Sequence, residues 1–380
     1  MIKSVIGYVS KADPYHDKTA WSGTVYYTRK AIEAAGFEVI WIPYGKSLLA
    51  AFYTKLIRLM NRTMFVKHPW LGSSHFAPLL KAFAKNIDRY PSLERCDYLF
   101  FPGGAQISLF MNSNKPVIYL SDATIHIMIG YYFKSVNKYS RQMALDLEAR
   151  ASRKAAINIR SSQWAVDSLI NDCHCDRNKC YSLEFGPNLD TKDIRRSSPY
   201  ERGELRILFS GIDWERKGGD VAVSTVEILR SKGIDAKLIV VGPHEIPPSC
   251  MDKHYVEFVG YLDKNTPSDY EKYLWLYQRS HLLLLPSKAE CSAIVFSEAA
   301  AVGIPCYAYL TGGTGNYILN GINGFALPEG TSADAFANQI YTDVTEGRFL
   351  KLMEGALHLS KKRLSWEAWS KRFSELMMTN

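Results

Sequence analysis

The chain reads as an α/β protein with two doubly wound parallel sheets. Three observations predict this: strand-like apolar runs alternate with helix-period segments, the alternation stops once at a polar stretch and then restarts, and 380 residues are enough for two ordinary cores. In the first run, Ser4 to Val9, Phe37 to Ile42, Tyr98 to Phe101, Val117 to Leu120 and Ala156 to Ile159 read as strands, with helices from Ser22 to Ala35 and near 125 to 155. A second run takes up the same rhythm at Leu205 and continues through Ala236 to Val241, Val256 to Val259, Leu282 to Leu285 and Pro305 to Tyr309. Between them, Gly186 to Gly203 has two prolines, many polar residues and no apolar period, and reads as a linker. The expected division is residues 1–190, residues 205–363, and a last segment, 364–380, in which Trp366, Trp369, Phe373 and Met377 share one helical face.

Composition narrows the class. With 47% hydrophobic and 22% charged residues the chain has the balance of a folded globular protein, not a disordered one. The N-terminal apolar run is too short for a signal peptide and reads as a first strand, and no apolar run approaches the ~20 residues of a membrane span. Seven cysteines without framework spacing point to free thiols in a reducing compartment, and hence to the cytoplasm. Cys173, His174, Cys175 and Cys180 cluster in sequence but match no standard zinc pair, so a helix end followed by a loop is expected and no metal site.

The formal charge of +8 is unevenly spread. From Val39 to Ile87 there is no acidic residue, while Lys46, Lys55, Arg58, Arg62, Lys67, Lys81 and Lys85 all fall there. Leu48, Leu49, Phe52, Leu56, Leu59 and Met60 form one apolar helical face beside these cations. Two readings stand: a helix lying on an anionic membrane surface, which would put the protein on the inner face of the cell membrane, or a helix packed on the first domain with a solvated basic rim. The segment lacks the interleaved aromatic and glycine pattern of single-strand RNA readers, so no nucleic-acid partner is expected.

The most informative stretch runs from His281 to Pro305. Four leucines suit a strand covered on both faces, Pro286 and Ser287 end it, and Ala293 to Val302 is a short helix closed by Gly303 and Pro305. Glu290 precedes this helix and Glu298 lies about two turns on, a separation of roughly 12 Å at the helical rise. Carboxylates at that span suit hydroxyls at the two ends of a sugar diphosphate, and the amides of Ser292, Ala293 and Ile294 at the helix start can hold its phosphates.

These glutamates, separated by seven residues after an apolar strand and before Gly303-Ile304-Pro305, resemble the pattern of retaining glycosyltransferases of the GT-B fold, specifically glycosyltransferase family four, the group 1 type. The likeness continues through Arg206 to Gly219, Leu238 to Pro243, Val256 to Gly260, Thr311 to Gly313 and Asn323 to Phe325, and covers residues 205 to 330 in order and spacing. It implies two facing Rossmann-like domains with a deep cleft between them, an N-terminal one for the acceptor and a C-terminal one for the donor, with the last helix crossing back. It also implies transfer from a nucleotide sugar of UDP or GDP type to a glycan or lipid-linked acceptor, in bacterial surface polysaccharide or lipopolysaccharide synthesis, without a cofactor. Two other readings stay open: an epimerase-like enzyme of the same fold, and a non-catalytic membrane-adsorbing carbohydrate-binding protein.

The resemblance assigns Glu298 to the ribose, Glu290 to the donor sugar, and Arg216 with Lys217 to the diphosphate, with Ser287 beside the helix mouth. Gly242 and Tyr261 would shape the nucleotide base site. Relatives have an arginine where Ile212 stands, which would pass that duty to Arg216; Ala293 replaces a usual glycine and would crowd the donor, and Asn316 replaces a common acidic residue. In the first domain, Gly23 would allow a loop to approach the diphosphate, or Ser22 simply caps a helix. Asp122 would face the transferred sugar or acceptor, or cap the helix that follows, where His126 reads as an ordinary residue.

Overall fold

The computed structural model describes residues 4–45, 48–67, 69 and 75–379. Its contacts divide the chain into two compact units, residues 1–183 with 370–380, and residues 184–369.

The first unit contains β1 (Val5–Ser10), α1 (Thr24–Ala34), β2 (Glu38–Pro43), α2 (Leu48–Thr63), α3 (Ala77–Asp88), β3 (Tyr98–Pro102), β4 (Val117–Ser121), α4 (Ile125–Met128), α5 (Lys138–Lys154), β5 (Ile157–Arg160), α6 (Gln163–Asn171) and β6 (Cys180–Ser182). The strands form one sheet of order β2-β1-β3-β4-β5-β6, and every pairing is parallel. Parallel strands need crossover helices, and these bury the sheet on both faces. Ile6, Tyr8, Phe100, Ile118, Leu120 and Ile159 are accordingly inaccessible.

The second unit follows the same logic with β7 (Leu205–Ser210), α7 (Trp214–Lys217), α8 (Gly219–Ser231), β8 (Ala236–Val241), β9 (Val256–Gly260), α9 (Pro267–Arg279), β10 (Leu282–Leu285), α10 (Ile294–Val302), β11 (Cys306–Leu310), β12 (Gly324–Pro328), α11 (Ala333–Thr345) and α12 (Phe349–Lys362). Its sheet has the order β12-β11-β10-β7-β8-β9, again parallel throughout. All four leucines of β10 are fully buried, as a central strand sandwiched between helices requires. Strand order reverses between β7 and β10, and the crevice beyond the carboxyl ends of such a pair is where open α/β sheets bind ligands.

The helix α13 (Trp366–Thr379) begins in the second unit and ends in the first. Trp366 donates to the Pro187 carbonyl within the second unit. Within the first, Ser370 donates to the Ala31 carbonyl and Phe373 meets the rings of Phe37 and Phe100.

Several local features differ from the sequence reading. The stretch that reads as a linker lies against the second unit: Leu189 joins that core, Asp190 N–H donates to the Tyr270 hydroxyl at 2.8 Å and Ser197 N–H to the Val302 carbonyl at 2.9 Å. Three apolar side chains, Leu189, Ile194 and Tyr200, anchor a segment that is polar on average. Helix α1 starts at Thr24 with Gly23 at the cap position in left-handed conformation, φ 93°, so Ser22 is not the cap. Thr124, not Asp122, occupies the cap position of α4. All seven cysteines are free and buried, and Cys173, Cys175 and Cys180 share a small apolar cluster with Val166 and Leu169 after the end of α6. Among the described residues no helix is long and apolar enough to cross a membrane.

Candidate active site

In the second unit, the segments that leave the carboxyl ends of β7 and β10 meet at the point of strand reversal. Residues 214–217 form one helical turn, α7, capped by Asp213, whose carboxylate accepts from Arg216 N–H at 3.1 Å. Gly218 then takes φ 76°, and a Cβ there would lie 2.1 Å from the Pro286 carbonyl oxygen. Only a glycine lets the junction of α7 and α8 sit this close to the turn after β10. That approach brings Lys217 Nζ into an ion pair with Glu290, while Arg216 Nη1 lies 3.7 Å from the same carboxylate oxygen.

Arg216 is also held elsewhere. Its Nε reaches Asp213 at 3.2 Å, its Nη1 donates to the Ala289 carbonyl at 2.9 Å, and its own carbonyl accepts from Lys288 N–H at 2.8 Å. Glu290 is buried, and its carbonyl accepts from Gly313 N–H at 3.0 Å. Two cations and a buried carboxylate thus stand just before the amino end of α10, whose dipole adds positive potential. Such a cluster suits a diphosphate and a polyhydroxyl group side by side.

Glu298, on α10, is completely inaccessible. Its Oε1 accepts from Lys264 Nζ at 2.5 Å, and its Oε2 from the hydroxyls of Tyr273 at 2.7 Å and Tyr277 at 3.1 Å. Burial, with the neighbouring carboxylate adding to it, pushes the Tyr273 phenol well above its ordinary range, so it remains a donor. The Lys264 ammonium also sits 4.4 Å from the Tyr273 ring centroid. None of these three partners was singled out from the sequence. Their signal was present in the helical spacing of Tyr270, Tyr273 and Tyr277 along α9, but Lys264 lies in a loop 34 positions from its carboxylate.

At the ends of β8 and β9, Gly242 has φ 119° and abuts the Gly211 backbone, where a Cβ would come within 2.5 Å. Tyr261 is partly exposed and stacks on His244 with ring centroids 4.6 Å apart and planes 27° from parallel. This aromatic pair offers a flat surface at the sheet edge; His244 was not foreseen. Ser287 is buried and its hydroxyl lies 3.2 Å from the Ala289 carbonyl, serving the turn. Ser292 and Ile294 are partly exposed at the mouth of α10, whereas Ala293 is buried with the apolar core. Asn316 donates to Glu184 at 2.8 Å, and Ile212 is exposed.

In the first unit the order reverses between β1 and β3. The loop after β1 ends in a tight turn where Trp21 and Ser22 have φ 50° and 56° before Gly23. Trp21 Nε1 reaches the Asp122 carboxylate, just past β4, at 3.3 Å. Burial raises the Asp122 pKa, with the Trp21 bond opposing. Behind it, Glu148 accepts from Ile125 N–H at 2.5 Å; burial pushes this carboxyl up to about 7 against the pull of Arg160. Arg160 is itself fully buried, its guanidinium 4.3 Å from the Tyr119 ring centroid. Asp122 and Gly23 therefore occupy one end of the first sheet, and His126 is an exposed residue of α4.

Comparison with known proteins finds likeness in the second unit and in the fold. Residues 204–344 match the family model described as glycosyl transferases group 1. A lipopolysaccharide 1,2-N-acetylglucosaminetransferase of Salmonella typhimurium is 32% identical over 102 residues, 27% of each chain. A D-inositol 3-phosphate glycosyltransferase of Rhodococcus erythropolis is 26% identical over 189 residues, 47% of this chain and 42% of the relative. The match thus spans less than half the length of either relative. Among solved structures, sucrose-phosphate synthase from Thermosynechococcus elongatus superposes with a TM-score of 0.72 at 16% identity, covering 99% of both chains. Anabaena HepE, solved with UDP and glucose, gives 0.64 at 13% identity over 100% of both. These likenesses establish the fold as GT-B, two Rossmann-like doubly wound units.

Proposed function

We propose that this protein is a retaining glycosyltransferase that moves a sugar from a nucleoside diphosphate sugar to a glycan or lipid-linked acceptor. The observation that carries the reading is the meeting of Lys217, Arg216 and Glu290 at the mouth of α10, inside the segment that matches the glycosyl transferases group 1 model. In this reading Lys217 and the α10 amides face the diphosphate, Glu290 takes hydroxyls of the donor sugar, and the His244–Tyr261 surface supports the base. Glu298 takes the ribose by exchanging Lys264 for a hydroxyl or through the remaining lone pair of Oε1. The name of one relative, a lipopolysaccharide N-acetylglucosaminetransferase, supports a surface glycan as the product class.

The chemistry this arrangement favours is charge stabilisation. As the bond between the anomeric carbon and the phosphate oxygen breaks, negative charge grows on the diphosphate, where a preorganised ammonium and helix amides stabilise it more than they stabilise the ground state. The acceptor oxygen bonds to the anomeric carbon on the same face, and its proton passes to the departing phosphate oxygen. The protein positions both partners and needs no carboxylate nucleophile. Asp122, at the end of β4, is assigned to the sugar or acceptor.

Nucleotide release from a panel of UDP- and GDP-sugars, with and without glycan and lipid-linked acceptors, tests the reading. Acceptor-dependent release with an α-configured product from an α-configured donor supports it. Inverted product contradicts the stereochemistry, and absence of release and of binding for every donor contradicts the activity.

A further inference from the structure

We infer that the outward face of α2 is a docking surface for an anionic phospholipid bilayer, an assignment independent of the transfer reaction. The underside of this helix is settled: Ala50 and Ile57 are buried, and the Tyr53 ring packs on Phe76 at 5.6 Å. The opposite side is not polar, as a solvated helix face would be. Leu48 is 92% exposed, Phe52 and Leu59 are each 58% exposed, and Met64 and Val66 just beyond the helix are 72% and 68% exposed. At 100° per residue, Leu48, Leu59 and Phe52 fall within a sector of about 40°, so they form one ridge and not a scatter.

Cations flank the ridge. Lys55, Arg58 and Arg62 are exposed on the adjoining side of the same helix, Lys67 follows it, and Lys81 and Lys85 are exposed on α3, which packs beside it. No acidic residue occurs between Val39 and Ile87 to offset them. Lys46 lies outside the described residues. An apolar ridge with a basic border is the form of a helix that lies in the plane of a bilayer, side chains in the acyl boundary and cations among headgroup phosphates.

Charge selects this occupant over two others. A symmetric second copy would set Lys55, Arg58 and Arg62 against themselves across an isologous interface. A nucleic acid would use the cations but leave the three largest apolar side chains without a role.

The test is co-sedimentation of the full chain with phosphatidylcholine vesicles, with and without phosphatidylglycerol. Binding is expected only to the phosphatidylglycerol vesicles, with release by salt. Phe52→Ser with Leu59→Ser should lower partitioning more than about tenfold, and replacing Lys55, Arg58 and Arg62 by Ser about fivefold per cation. Both sets are exposed, so the variants should melt with the parent; should the double variant unfold, Phe52→Ser alone carries the same readout. A parent that stays in the supernatant with phosphatidylglycerol, or variants that bind as it does, overturns the assignment. So does self-association lost in the Phe52 and Leu59 variants without vesicle binding, which would give the ridge to a second copy. Donor-induced stabilisation, measured on the same variants, reports on the transfer site and is unaffected by either result.

Discussion

Lys217 and Glu290 are separated by 73 positions yet share an ion pair, because the Gly218 junction and the turn after β10 are pressed together at the strand reversal. Removing the ammonium should therefore have two separable effects. Lys217→Ala is expected to lower turnover by about a hundredfold or more and to destabilise the fold by about 1–3 kcal/mol, since the buried Glu290 loses a partner. Adding Glu290→Gln should restore stability but not turnover; recovery of both would make the pair purely structural. Glu298 gives a second contrast. Lys264→Met leaves a fully buried carboxylate facing only two phenols, a loss of about 3 kcal/mol, and Lys264→Met with Glu298→Gln should recover most of it in a chemical-denaturation cycle, while donor affinity falls in every Glu298 variant. At this scale the positions of Glu290, Arg216, Lys217 and Gly242 could be located because each follows a strand end or flanks a glycine turn, and that of Glu298 by its helical spacing from Glu290 along α10. Lys264 and His244 were not, since their partners are fixed by the crossover geometry and not by spacing.

The elements themselves were legible where the apolar period was unbroken. β10 and α10 begin and end within a residue or two of their sequence limits, because fully buried strands and glycine-stopped helices leave little choice. The errors lie where backbone conformation overrides composition. The left-handed turn at Trp21 and Ser22 delays α1 to Thr24, the single turn α7 is too short for any period, and three apolar anchors tie down a stretch that reads as a linker. Between α5 and the sheet of the first unit, the Glu148 carboxyl titrates near 7 instead of the ordinary 4.5 because burial penalises its charge. The native state then holds a proton that the unfolded chain has already lost between these two values, so stability falls as pH rises through that window and stays lower above it. Glu148→Gln removes the effect. Its melting temperature relative to the parent should rise from pH 5 to pH 8, by an increment equivalent to about 2–3 kcal/mol; a constant difference would mean Glu148 stays ionised throughout.

At the scale of the whole molecule, two parallel sheets were readable from alternation, with five of the six strands in each; the edge strands β6 and β12 were not read, and the GT-B assignment rests on structural likeness over the full length. What alternation does not contain is the order of the strands, and with it the two reversal points that decide which loops gather. The proposed donor site gathers on loops of the second unit, so a true donor should raise the melting temperature in proportion to the logarithm of its concentration, about 2.7 kcal/mol at a hundredfold excess over Kd. Thermal denaturation with the UDP- and GDP-sugar panel reads this directly, and a flat response to every donor contradicts the binding role.

Seven sulfhydryls, Cys96 among them, are shut inside the native protein without a single disulfide. Alkylating reagents and peroxides can reach them only when the packing around them opens, so the folded protein is shielded from oxidative damage while any partly opened form is at once exposed to it. Handling without reductant would therefore harm this protein in proportion to how often it breathes, and a thiol-reactive dye becomes a gauge of that breathing.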